Sequence, residues 1–391
     1  MDLPDSRPLL PRTGWVLLLA ATALGLLGIV GIHASEAQLL TGPILTLRQV
    51  AWLSMALIAF IVTYAVGYQR IAPWAYVLYG VVVALLVLLV VARRVSLEPF
   101  IRPRRNTYRW IELGPIQVQV SELARITCVL ALAEYLRFRR DHRRFKGLIR
   151  PALMVGVPTA LILLEPDLGT SLLFVPTLFV MLFAAGMRVR HMLLLFAIGA
   201  VAAPAFYFSP VMSDYQRKRI EAVLRQNESG TAWHKSSGYQ LRQSKIAIGS
   251  GGALGQGLEP ASFFRHRLLP EDHNDFIFAV LGHQWGFVGG VAIVGVYALM
   301  GGCCLVIALR TLDPRGRLVA IGFGTLLYVQ AIVNIGMTIG LLPITGMTLP
   351  FVSFGGSSLV VNYVALALVA SVAARRTPSL APKAFEFDVD E

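Results

Sequence analysis

Charge is what this sequence has least of. Only 15% of its 391 residues are Asp, Glu, Lys or Arg, where a soluble protein carries about one quarter. With 56% apolar residues and a mean hydropathy of +0.65, that scarcity excludes an ordinary water-soluble fold. Cysteine is scarce too. Cys128, Cys303 and Cys304 all lie inside apolar runs without metal-cage or redox spacing, so they read as small apolar side chains. A nucleotide-binding loop is also lacking: "AIGSGGALGQG" (247–257) has neither the Gly-Lys-Ser/Thr of a P-loop nor the GxGxxG spacing. Its glycines fit tight turns where a long loop folds back over a membrane. No soluble domain, low-complexity tract or internal repeat is visible.

What the chain does have is apolar runs along most of its length. Ten can be marked, at 14–34, 48–68, 73–92, 120–137, 149–165, 170–187, 191–209, 276–309, 317–340 and 357–374. In lipid the backbone must satisfy its own hydrogen bonds, so each run reads as a membrane helix. The fold class expected is an all-α polytopic membrane protein of about ten helices, one domain over 1–376 with a large loop at 210–275. The first run, about 20 residues long with many spans after it, reads as an uncleaved helix rather than a signal peptide. The eighth is long enough for a tilted span or an extra turn. The tail 377–391, "TPSLAPKAFEFDVDE", reads as polar and disordered.

The net charge of +13 would suggest nucleic acid in a soluble protein. Here it is expected as loop charge, and no nucleic-acid partner is implied. The even-numbered connections and the termini hold "RFRRDHRRFKG" (137–147), "RVRH" (188–191), "RTLDPRGR" (310–317) and "ARR" (374–376). By the positive-inside rule they face the cytoplasm, with both termini. The odd-numbered connections then lie outside. They contain "RNTYRWIELGPIQVQVSE", "EPDLGTS", "LPEDHND" and "PITGMTLPFVSFGGSS", so the chemically unusual stretches share one face.

Asp275 opens the eighth apolar run, crowded by Glu271, Asp272 and His273. It reads as a helix N-cap, as a general base at the membrane surface, or as one ligand of a hard cation. A cap alone does not explain the neighbouring acids. Glu165 and Asp167 flank Pro166 at the end of the fifth run, where carboxylates at bilayer depth point to function and Asp167 also suits a cap. Ser121 reads as a cap and Glu122 complements the first turn of the fourth run. Arg125, three residues on, can neutralise Glu122 or meet an anionic ligand. Arg102, Arg104, Arg105 and Arg109 run against the charge bias and suit either lipid head groups or a phosphate-bearing substrate. Trp110 beside them suits an interfacial anchor. Between Pro343 and Ser358 the two prolines and the Gly355-Gly356 pair forbid regular helix. Such backbone survives at membrane depth only inside protein or along a wet cavity. "NES" (227–229) matches a glycosylation acceptor, a weak pattern by itself.

"RWIELG…VSEL", "EPDLGTSLL", "GYQLRQSKIAIGSGGALGQG", "LPEDHNDFIFAVLG" and "NIGMTIGLLPITGMTLPFVSFGGSS" together resemble the SEDS family in order and spacing, over nearly the whole chain. "QSKIAIGSGG" and the compact N-terminus are similar to the elongation (RodA) branch more than the division (FtsW) branch. The resemblance implies a bacterial inner-membrane glycosyltransferase that polymerises lipid II for cell-wall elongation and rod shape. It also implies a class B penicillin-binding protein and other elongation proteins as partners. By position it carries the essential aspartate to Asp275, and further functional positions to Trp110, Glu122, Asp167 and the segment with Ser353, Gly355, Gly356 and Ser357. Arg125 stands where the family has Lys, His283-Gln284 where it has two Glu, Asn274 where it has Thr, and Phe354 where it has Tyr.

The mechanism expected has Asp275 deprotonating the acceptor hydroxyl, with arginines, alone or sharing the task with a divalent magnesium or manganese ion, beside the leaving pyrophosphate. A lipid II flippase is the rival reading.

Overall fold

The computed structural model describes residues 10–36, 43–92, 108–113, 116–138, 145–209, 212, 214–224, 226, 237–257 and 273–374. Arg102, Arg104 and Arg105, the acidic neighbours Glu271 and Asp272, the "NES" stretch and the C-terminal tail lie outside the described residues.

All ten expected apolar segments are helical. In chain order the long elements are α1 (Arg12–Glu36), α2 (Ile44–Val66), α3 (Ala75–Ala92), α4 (Val120–Leu136), α5 (Ile149–Leu164), α6 (Leu168–Ala184) and α7 (Val189–Phe208). Then come α8 (Asp214–Leu224), α9 (Ser237–Ser250), α10 (Ile277–Arg310), α11 (Pro314–Thr338) and α12 (Gly356–Ala374). Among the described residues, seven helices are long and apolar enough to cross a membrane, and Leu168–Ala184 and Val189–Val201 are shorter apolar helices. Helix α4 adds a nearly wholly buried rod. The large connection 210–275 is therefore not plain loop, since it contains α8 and α9.

Polarity runs opposite to that of a soluble protein. Leu19, Ile58, Ile61, Val81, Leu193 and Phe287 are exposed on outward helix faces, while Gln49, Glu122, Arg125, Asp167, Gln330 and Asn334 are buried. A lipid-facing surface must be apolar, and polar groups at that depth must find partners inside. Helix α12 packs against α2, α10 against α11, and α3 against α4, so α4, α11 and α12 form the centre. Asp313 starts α11: its carboxylate accepts from Arg315 N at 3.2 Å and Gly316 N at 2.9 Å. At the other end Ser244 Oγ, from α9, donates to Thr338 O at 2.8 Å, covering an otherwise orphaned carbonyl.

Two features depart from the sequence reading. The connection before α4 holds an antiparallel hairpin, β1 (Trp110–Leu113) and β2 (Ile116–Gln119), with Trp110 opposite Gln119 and Glu112 opposite Gln117. Those four side chains share a face, because strand residues alternate. The long eighth segment, in turn, is broken. Gly286 (φ 63, ψ −160) splits α10, and the wholly buried piece 277–284 lies before the break. The break admits the glycine-rich segment. Gln256 N donates to His283 O at 3.0 Å, Gly257 N to Gln284 O at 3.1 Å and Phe287 N to Gly252 O at 2.9 Å. A Cβ on Gly255 would lie 2.1 Å from Gln284 O, and one on Gly286 would lie 2.3 Å from Gly255 N. Close approach of two backbones, rather than turning alone, is what those glycines permit.

Candidate active site

A cavity of about 900 Å³ opens where α2, α4, α6, the hairpin and the residues before α10 meet the non-helical segment before α12. It gathers most of the positions singled out in the sequence. Asp275, Trp110, Glu122, Arg125, Asp167, Arg109, Gly355, Gly356 and Ser357 all line it. Ser353 does not: it is buried beneath the wall.

Asp275 is seated by the segment that follows α11. Asn334, fully buried on α11, donates through Nδ2 to Asp275 O at 3.0 Å and to Met347 O at 2.5 Å. Ser353 Oγ donates to Asn274 O at 2.6 Å while accepting from Leu349 N at 2.7 Å. Phe354 N donates to His273 O at 3.0 Å, and the two rings meet edge to face at 5.9 Å. The turn 273–275 is thus bolted to 347–354 through its backbone. The N-cap of α10 is Phe276, which makes no side-chain cap bond, so the cap reading of Asp275 is replaced. Its Oδ2 lies instead beside Gly346 on the cavity wall.

Asp167 does cap α6, accepting from Thr170 N at 3.2 Å. Its carboxylate also accepts from Thr170 Oγ1 at 2.9 Å, Gln119 Nε2 at 3.2 Å and Ser121 Oγ at 3.3 Å. A carboxylate so well supplied with donors is a fixed anchor, and it ties the hairpin and α4 to α6. Ser121 serves that anchor; the N-cap of α4 is Gln119. Glu122 and Arg125 form a buried ion pair, and Arg125 Nη1 also donates to Gln330 Oε1. Gln330 passes the chain on, donating to Thr348 O at 2.9 Å, and Thr348 Oγ1 lies 3.3 Å from Ser358 Oγ. Here the guanidinium reaches a carboxylate and an amide from two separate nitrogens, where an ammonium would have to make both bonds from one.

Arg109 was expected beside a pyrophosphate. It lines the cavity, but Nε donates to Glu165 O at 2.7 Å and Nη2 to Pro166 O at 2.5 Å, so those donors hold the turn before Asp167. Glu165 itself is buried away from the lining. His283, one of the departures from the family pattern, sits outside the cavity, its Nδ1 2.7 Å from Ser250 Oγ. Among the described residues no three His, Cys, Asp or Glu side chains converge, and Glu122 and Asp167 already take Arg, Thr, Ser and Gln donors.

Sequence reasoning missed three contributors. Gln49, buried on α2, donates to Ser353 O at 3.2 Å and accepts from Gly355 N at 3.4 Å, which shapes the segment entering α12. Arg48 beside it lines the cavity. Arg219, from α8, brings Nη1 to 3.2 Å from where a Cβ on Gly346 would stand, and Asp275 Oδ2 is 3.3 Å from the same point. A polar residue pair, Arg48-Gln49, at the mouth of an apolar run was a signal for the first two. Arg219 was one of many charges in a long loop, with nothing local to mark it.

The family model described as "Cell cycle protein", which covers FtsW, RodA and SpoVE, matches residues 12–378. The chain belongs to the SEDS family. The probable peptidoglycan glycosyltransferase FtsW of Trichlorobacter lovleyi is 32% identical over 92% of each chain. The peptidoglycan glycosyltransferase MrdB of Escherichia coli K12 is 33% identical over 84% of this chain and 85% of its own. Among solved structures, the rod shape-determining protein RodA of Thermus thermophilus is 30% identical, with a TM-score of 0.66 over 92% of this chain and 96% of its own. A chain of a peptidoglycan synthase complex is 32% identical, with a TM-score of 0.76 over 92% and 97%. This SEDS protein is a multi-pass membrane protein.

Proposed function

We propose that this SEDS protein is a peptidoglycan glycosyltransferase that polymerises lipid II, with Asp275 as its general base. The observation that carries the reading is the single cavity that unites Asp275, the Glu122–Arg125 pair, Asp167, Trp110 and the Gly355–Ser357 backbone. Asp275 takes the proton of the acceptor sugar's 4-hydroxyl as that oxygen attacks the anomeric carbon of the donor. The bond to the lipid pyrophosphate breaks with its electron pair, and the donor's α linkage becomes β. Pyrophosphate leaves well without a protein acid, so what the protein supplies is positive charge and position. Arg48 and Arg109 line the cavity and provide that charge, while Arg125 is paired with Glu122.

Positive-inside charge supports a cytoplasmic location for both termini, with the cavity facing outward from the inner membrane. A class B penicillin-binding protein is the partner that cross-links the product. That assignment rests on the peptidoglycan synthase complex among the similar structures. The elongation role rests on "QSKIAIGSGG".

Purified protein with labelled lipid II in detergent, and no second polymerase, tests the activity. Glycan polymer from the wild type supports it. Translocation of lipid in liposomes with no polymer from any preparation would establish the flippase instead. Restoration of rod shape in cells depleted of their elongation polymerase, without rescue of division mutants, tests the branch.

A further inference from the structure

We infer that Arg219 is a positioning residue for Asp275, an inference that rests on the reading of Asp275 as the base. Helix α8 is pinned to the end of α7 by one face. Arg217 Nη2 donates to Tyr207 O at 3.3 Å and Ser209 O at 3.4 Å, and Tyr207 Oη donates to Glu221 Oε1 at 3.3 Å. Residues 217 and 221 are one helical turn apart, so residue 219 projects from the opposite side.

That side meets Gly346. The Arg219 nitrogens stand 3.2 and 3.4 Å from the missing Cβ, and Asp275 Oδ2 stands 3.3 Å from it. A guanidinium and a carboxylate thus share the space above one bare Cα. Gly346 lines the cavity, has φ +74, and would crowd both groups if it bore a side chain.

The electrostatics give this placement its use. Glu122 and Asp167 line the same cavity as Asp275, but Glu122 is paired with Arg125 and Asp167 accepts from Thr170, Gln119 and Ser121. Arg125 is engaged by Glu122 and Gln330, and Arg109 donates to two carbonyls. Arg48 lines the cavity from α2, and among the described residues Arg219 is the guanidinium that stands beside Gly346 together with Asp275. It holds that carboxylate aimed into the cavity while the backbone contacts of 273–275 fix the turn beneath it. Its helix is held over the site from a second direction as well: Gln226 Nε2, just past α8, donates to Gly340 O at 3.3 Å.

The test compares Arg219→Ala, Arg219→Gln and Asp275→Asn in the purified full-length protein, with labelled lipid II in detergent. Arg219→Ala should lower kcat by about 10²-fold, the scale of a misplaced catalytic group, with KM little changed. Added guanidinium ion should restore part of that loss, which a merely structural defect would not allow. If Arg219→Ala cannot be purified folded, the neutral Arg219→Gln decides by the same kcat and KM comparison. Wild-type kcat in a neutral variant, or a loss confined to KM, overturns the role of Arg219 while Asp275→Asn stays inactive. An active Asp275→Asn instead overturns the base assignment beneath it.

Discussion

Asp275 and Asp167 look alike in the sequence, two acids at the mouths of apolar runs, and the structure gives them different work. Asp167 accepts four hydrogen bonds from Thr170, Gln119 and Ser121. Asp275 is fixed by its backbone and presents its carboxylate at the cavity wall. Asp167→Ala removes the acceptor for all four donors. Its cost should appear as stability, about 1–3 kcal/mol for each buried group left unsatisfied, read as a lower melting temperature in detergent. An unchanged melting temperature would contradict the anchor role. Arg109 gives a companion prediction. Arg109→Lys keeps the charge but cannot hold the carbonyls of Glu165 and Pro166 with a planar fork. Polymerisation should fall, along with thermal stability, whereas a role in charge alone would leave the lysine variant active. These distinctions were not legible in the sequence. It shows that Asp167 and Asp275 are near membrane entries, but their donors come from residues as far away as 119 and 334.

At the scale of elements, the apolar runs were legible because each is long and faces lipid or a tightly packed centre. The hairpin was less so. "IQVQV" alternates with period two over only five residues, and it follows an arginine-rich stretch that reads as loop. The break at Gly286 left only a local trace, the polar pair His283-Gln284 and the glycines of "GHQWGFVGG", which interrupt an otherwise apolar run. What forces it is the backbone of 252–257, some thirty residues earlier, which donates to and accepts from 283–288. Gly255→Ala sets a methyl group 2.1 Å from Gln284 O at φ +89. That clash sets a methyl group against a backbone carbonyl and cannot be relieved by a rotamer, so the variant should lose several kcal/mol, in the range of overpacking plus strained conformation, roughly 1–3 kcal/mol each. Gly249→Ala, in α9 with open space around it, should be nearly silent in the same melt. Equal melting temperatures for the two variants would contradict this account of the glycine-rich segment.

Across the whole molecule, the central helix α4 carries chemistry at one end and a latch at the other. Glu122 lines the cavity, and Glu134, about 18 Å along the helix axis, binds Arg315 Nε at 2.8 Å and Arg137 Nη2 at 2.9 Å. Tyr68 Oη adds a bond to Asp313 at 3.0 Å on the same side. The clustering of odd-numbered connections foresaw the cavity, since topology by itself brings those stretches to one face. It did not foresee Arg219, whose loop could have lain anywhere over that face. Orientation is checked by thiol labelling in intact cells. A membrane-impermeant reagent should reach Ser357→Cys and spare Arg317→Cys until the membrane is opened; the reverse pattern would put the cavity in the cytoplasm.

Among all these outcomes, one bears on the chemistry without an intermediary. The initial rate of glycan formation from labelled lipid II should be measured for purified wild-type protein and for Asp275→Asn, which keeps the shape of the side chain and removes its basicity. A fall of at least about 10²-fold, the usual contribution of a positioned base, with lipid II binding retained, is the result expected. Polymer formed at the wild-type rate by the asparagine variant would contradict the assignment.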